Sequence, residues 1–132
     1  MSGAAWALQQ ALYAALTANT AVTSLCGGRV FDAVPRDCPF PYVVIGEADE
    51  RDAGAGASEH KLVLHLWSRG GGTREIKQLA AAVKAALDGA ALALSGHALI
   101  SLAFLAADYS RQSDGETYRG SLRFRALTEV NQ

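Results

Sequence analysis

The sequence is poor in everything that staples, spans or coats. Of its 132 residues, two are cysteine, three are proline and one is methionine. Cys26 and Cys38 could close one short loop. The opening stretch Met1-Ser2-Gly3-Ala4-Ala5-Trp6 lacks the basic region of a secretion signal, so free thiols are expected in a chain made in the cytoplasm. No run approaches the ~20 apolar residues of a membrane helix. The longest candidate, Ala90 to Ala107, is interrupted by Ser95, Gly96, His97 and Ser101. Charge of one sign is also missing: 12 basic against 13 acidic residues leave a net charge of −1. That balance excludes a generally basic nucleic-acid coat, though not a local basic patch. Half the residues are hydrophobic, too many for intrinsic disorder at so low a net charge.

Alanine dominates what is there. Of the hydrophobic residues 26 are alanine, and the larger apolar residues that remain suffice for one modest core. A single domain over residues 1–132 follows, since domains commonly run ~100–150 residues. No repeat, low-complexity run or interdomain linker interrupts it.

The apolar spacing predicts a helix over Ala5 to Ala18, with Leu8, Leu12, Ala15 and Leu16 as its stronger stripe and Trp6, Gln9, Tyr13 and Leu16 near a second. Thr20 is expected to cap a short helical turn from Ala21 to Leu25, which Gly27-Gly28 ends. Arg29 to Ala33 reads as a short strand. Pro35, Pro39 and Pro41 make Val34 to Pro41 a stiff irregular connection. Tyr42 to Gly46 begins a β-branched strand that runs into the polar stretch Glu47 to Asp52, and Ala53 to Ser58 is expected as a flexible loop. Glu59 to Arg69 is the clearest strand. Leu62, Leu64 and Leu66 point one way, toward the core helices; Lys61, Val63, His65 and Trp67 point the other. After Gly70-Gly71-Gly72, with Thr73 as the expected N-cap, Arg74 to Leu87 is helical through Ile76, Leu79, Ala80, Val83 and Leu87. Leu92 to Gly96 is read as a connector. Leu99 to Ser110 and Glu116 to Thr128 form a hairpin around Ser113-Asp114-Gly115. The expected fold is α+β: an antiparallel sheet of about four strands plus a short strand, with two main helices packed on one face.

No residues have the spacing of a reaction centre. His60, His65, His97, Cys26 and Cys38 lack metal-ligand spacing, and His60 and His65 differ by an odd number, so one strand sends them to opposite faces. There is no Gly-x-Ser-x-Gly elbow, and Gly70-Gly71-Gly72-Thr73-Arg74 lacks the phosphate-loop pattern. No cofactor is expected. Two charge features stand out. Glu47, Asp49, Glu50 and Asp52 concentrate acid at a strand end, either as a solvated hairpin extension or as a surface facing a partner or a channel that must not grip DNA. Arg119, Arg123 and Arg125 share a strand face, either solvated and protective against aggregation or suited to salt bridges between subunits.

Gly27-Gly28-Arg29-Val30-Phe31-Asp32, then Val34-Pro35, then Phe40-Pro41-Tyr42-Val43-Val44-Ile45-Gly46 resembles the tail-terminator, or tail-completion, proteins of long-tailed phages. The likeness is closest to those of prophage-like gene transfer agents. Ala11 to Leu16, Glu59 to Leu62, His65 to Arg69 and Tyr118 to Arg125 fit the same family, so the resemblance spans roughly residues 5 to 129.

The resemblance implies a structural α+β subunit, not an enzyme, made in the bacterial cytoplasm and carried in the tail neck of the particle. It implies a hexameric ring that caps the head-proximal end of the tail tube, stops its polymerisation and docks a head-completion or stopper protein. DNA then passes through the centre without sequence-specific binding, and no membrane is involved. Within that picture Glu47, Asp49, Glu50 and Asp52 are expected to face the lumen or an axial partner. The two surfaces that a ring contact needs are sought on Val63, His65 and Trp67 and on Arg119, Arg123 and Arg125. The competing readings are another neck component, stopper or adaptor, and a small-molecule-binding or enzymatic α+β domain.

Overall fold

A computed structural model describes residues 3–131. Helix α1 spans Ala4–Ala18 and buries Ala4, Ala7, Leu8, Ala11, Leu12 and Leu16, the stripe expected from a 3.6-residue period. A short α2 follows over Thr20–Cys26. Its cap is Asn19, not Thr20: the Asn19 side chain accepts from the Val22 N–H, and Thr20 is already helical. Gly27 closes α2 in the left-handed conformation at φ 63°, which costs a residue without Cβ nothing. Helix α3, Arg74–Leu87, buries Ile76, Leu79, Ala80, Val83 and Leu87. Thr73 precedes it, but its side chain makes no cap hydrogen bond and its backbone is already helical, so the expected cap is absent.

The strands are β1 Val30–Phe31, β2 Tyr42–Gly54, β3 Ala57–Arg69, β4 Ala93–Leu94, β5 His97–Arg111 and β6 Thr117–Val130. They form one six-stranded sheet in the order β1-β2-β3-β6-β5-β4. The expected four-strand antiparallel core is present as β2, β3, β6 and β5, but the sheet is larger and mixed. β1 runs parallel to β2, and Ala93–Leu94, read from sequence as connector, pairs with Ala98 and His97. The two main helices, α1 and α3, pack on one face, with the short α2 against both of them.

The acidic stretch is strand as well. β2 continues through Glu47 to Asp52, and Asp52 pairs with Ser58 and Gly54 with Ala57. The expected flexible loop is therefore a tight turn at Ala55 and Gly56, with φ of 54° and 80°. Two left-handed residues suit the right-handed twist of a two-residue hairpin.

Alternation sorts the two faces. Leu62, Leu64 and Leu66 of β3 and Leu122, Phe124 and Ala126 of β6 are buried against the helices. Phe124 is fully enclosed and meets Phe104 edge-on at 5.7 Å. β3 and β6 pair without a break from Ala57↔Glu129 to Arg69↔Thr117. The flanking pairs are irregular: β2 shifts register between Ile45 and Ala48, and β5 shifts at Ile100 and again at Leu105. Each β5 shift leaves an aliphatic side chain about half exposed.

Candidate functional site: the helix-free face of the sheet

The side of the sheet away from the helices collects every residue expected at a subunit interface. β3 contributes Val63, His65 and Trp67. Their partners across the ladder are Arg123, Ser121 and Arg119, and Lys61 pairs with Arg125. Val63, His65, Trp67, Arg119, Arg123 and Arg125 therefore form one continuous patch. They cannot supply two separate surfaces, as the sequence suggested, because β6 inserts directly beside β3.

Most charges on this patch are matched from within the chain. The Arg123 guanidinium donates to Asp108 at 2.7 Å, and Arg125 donates to Glu59. That hydrogen bond is the main cause holding the Glu59 carboxyl below its ordinary range. His65 joins two strands at once: Nε2 lies 2.6 Å from Glu47 Oε1, and Nδ1 lies 2.9 Å from Ser121 Oγ. The Glu47 carboxyl is also held low, first by its own backbone N–H and then by the His65 ring. These pairs are largely exposed and individually worth little. Their effect is to give the face a fixed charge pattern. Arg119 is the exception: half-buried, its Nε has no hydrogen-bond partner among the described residues.

A carboxylate, an imidazole and a serine in hydrogen-bonded series raise the question of nucleophilic chemistry. Ser121 answers it, because it is only 2% exposed. A hydroxyl sealed beneath its neighbours cannot reach a substrate carbonyl. The series ties β2, β3 and β6 together instead. No group of three or more metal-ligating side chains occurs among the described residues. Cys26 is buried and Cys38 half-buried, both as free thiols. No described helix is long and apolar enough to cross a membrane.

The acidic residues separate by side. Glu47 turns toward His65 on the helix-free face. Asp49 pairs with Lys61 and Glu50 with His60, so β2 sends its acid to both faces of an exposed hairpin. His60 and His65 do take opposite sides of β3. His60 is 1% exposed on the helical side, bonded through Nε2 to the Thr128 hydroxyl at 2.9 Å. Burial lowers its pKa, with Glu50 and Asp49 opposing the shift.

Sequence reasoning missed Asp108, Glu59 and Ser121 as partners on this face. Asp108 was within reach, since counting back from the Ser113-Asp114-Gly115 turn sets it opposite Ser121, beside Arg123. Glu59 and Ser121 depend on the β3–β6 pairing, which no local pattern reveals.

The helix-free side is a broad sheet face whose charges are largely matched within the chain, and Ser121 on it is sealed. The family follows from the sequence itself. Residues 10–129 match the model of the tail completion protein gp17 family, and the chain belongs to that family. A chain in the virion of a native gene transfer agent particle is 37% identical, with a TM-score of 0.89 over 98% of this chain and 99% of that one. A second solved chain, 12% identical with a TM-score of 0.57 over 99% of this chain and 98% of its own, shares the fold. No curated protein matches the sequence significantly. The protein is thus a structural tail protein of the phage and gene-transfer-agent type.

Proposed function

We propose that six copies of this chain form a ring at the head-proximal end of a tail tube in a phage-like or gene-transfer-agent particle. The ring ends tube polymerisation, docks a head-completion or stopper protein and lets DNA pass through its centre. The observation that carries this reading is the likeness to the gene-transfer-agent virion chain, which extends over nearly the full length of both chains.

In this reading the helix-free patch of Val63, His65, Trp67, Arg119, Arg123 and Arg125 meets a neighbouring copy. A ring contact is heterologous, so the neighbour presents a different surface to it. Intramolecular pairing of Arg123 and Arg125 favours the contact, because their charge is already balanced when water leaves. Of the acidic residues on the exposed hairpin, Asp49, Glu50 and Asp52 turn toward the lumen or an axial partner, while Glu47 stays with His65 at the edge of the contact between copies. Like charge there keeps passing phosphates from adhering.

Electron microscopy of particles made without this gene tests the role. Overlong, headless tails are the expected outcome. Headless tails of normal length would instead favour a stopper or adaptor, and intact infectious particles would overturn both. Changing Glu47, Asp49 and Glu50 together to lysine should lower particle titre while the subunit stays folded; a wild-type titre would remove the acidic hairpin from the mechanism.

A further inference from the structure

The edge of the sheet beside α1 is unfinished. β1 covers β2 only at Val43 and Val44, and no other described strand pairs with that side of β2 from Ile45 to Gly54. Along this open lane run two adjoining clefts of about 310 and 480 Å³, which share Trp6, Gln9 and Ile45. Trp6 stands between them, 51% exposed, and Tyr13 lies two helical turns further on at 49%. The first 28 residues carry no charged side chain. One wall is therefore neutral and aromatic, a composition enriched where proteins meet. The rim is acidic, with Asp49 and Glu50 on the first cleft and Asp32 on the second.

We propose that this lane is a strand-addition site for an extended segment of another protein, one alternating basic and apolar residues. The occupant continues the lane that β1 begins, taking backbone hydrogen bonds from β2. Alternate side chains point to opposite faces, so its apolar ones turn toward α1 and pack on Trp6 and Ile45, while its basic ones turn to the other face, where β2 sends Asp49. Main-chain pairing gives affinity in this mode, and alternate side chains give selectivity. A second copy of this chain is a poor source. Its extended stretch outside the sheet, Val34 to Pro41, holds three prolines, which withhold the donors a lane requires. The site stands independently of the ring, so binding to the purified chain tests it whatever the tail-length experiment returns.

The probe is a fluorescent peptide of alternating arginine and valine, followed by anisotropy. Two N-methylated versions block its backbone donors on one edge or on the other. Saturable binding is expected, with one N-methylated version weakened about tenfold or more and the other little changed, because only one edge faces β2. Trp6→Ala, and Asp49→Lys with Glu50→Lys, should each weaken the parent peptide by a similar factor while circular dichroism stays that of the wild type. A peptide of alternating glutamate and valine should not bind. Absence of saturable binding, equal affinity of both N-methylated versions to the parent, or an unchanged affinity in Trp6→Ala would each overturn the proposal.

Discussion

Replacing Thr128 with valine changes the volume of a fully buried side chain very little and removes one hydroxyl. That hydroxyl is the hydrogen-bond partner of His60 Nε2, and the imidazole it leaves behind is sealed from water. An unsatisfied buried polar group costs about 1–3 kcal/mol. For a chain of this length the unfolding entropy converts each kcal/mol into about 3–4 °C, so Tm should fall by about 4–11 °C. His60→Leu on its own strands the threonine hydroxyl and should also destabilise. The double variant His60→Leu with Thr128→Val leaves no orphan and should recover most of the loss, a coupling that a double-mutant cycle reads directly. Urea unfolding followed by tryptophan fluorescence supplies the free energies. Protein concentration should be varied, since assembly would add its own stabilisation. Additive losses in the double variant, or a cost below about 0.5 kcal/mol for Thr128→Val, would refute the reasoning. Burial of the same imidazole sets a pH dependence. Burial lowers the native pKa of His60, so as pH falls through the unfolded value near 6.5 the unfolded chain takes up a proton first. The contribution of His60 is complete above that pH and declines below it, and His60→Leu should flatten this part of the profile.

Three further outcomes follow from the packing. Phe124→Ala empties the centre of the core and should cost about 3–5 kcal/mol in urea unfolding. Ala55 holds φ at 54°, where its Cβ is strained, so Ala55→Gly should stabilise the hairpin by about 0.5–1 kcal/mol in the same assay. At Gly46 an added Cβ would lie 2.7 Å from His65 Cδ2 and 3.0 Å from the Val63 carbonyl oxygen; Gly46→Ala should displace the ring from Glu47, seen as changed His65 ring chemical shifts by NMR.

The elements that were legible in the sequence are those written in short-range periods. Leu62, Leu64 and Leu66 declare their face by alternation, α1 and α3 by helical spacing, and the β5–β6 hairpin by Ser113-Asp114-Gly115. Asp114 accepts the N–H groups of Glu116 and Thr117 and the Thr117 hydroxyl, which holds its pKa at about 2. The acidic half of β2 was legible only as one of two readings, a hairpin extension, and its last residues read as loop. Its residues have poor β propensity, and the pairing offered by β3 overrides it. β4 is two residues long, too short for any period. The merging of two expected interface patches into one was hidden for a different reason: it depends on β6 choosing β3 as its second neighbour, a decision about topology with no local signature.

That topology puts the last strand in chain order in the middle of the sheet. Ala57 waits for Glu129, which lies more than half the chain away. Closing so long a loop is slow, and until it happens β3 and β5 are both raw edges. β6 also brings Arg119, Arg123 and Arg125, so the helix-free face is complete only once that strand sits beside β3. The strand that closes the sheet and the strand that carries the arginines of the helix-free face are the same piece of chain.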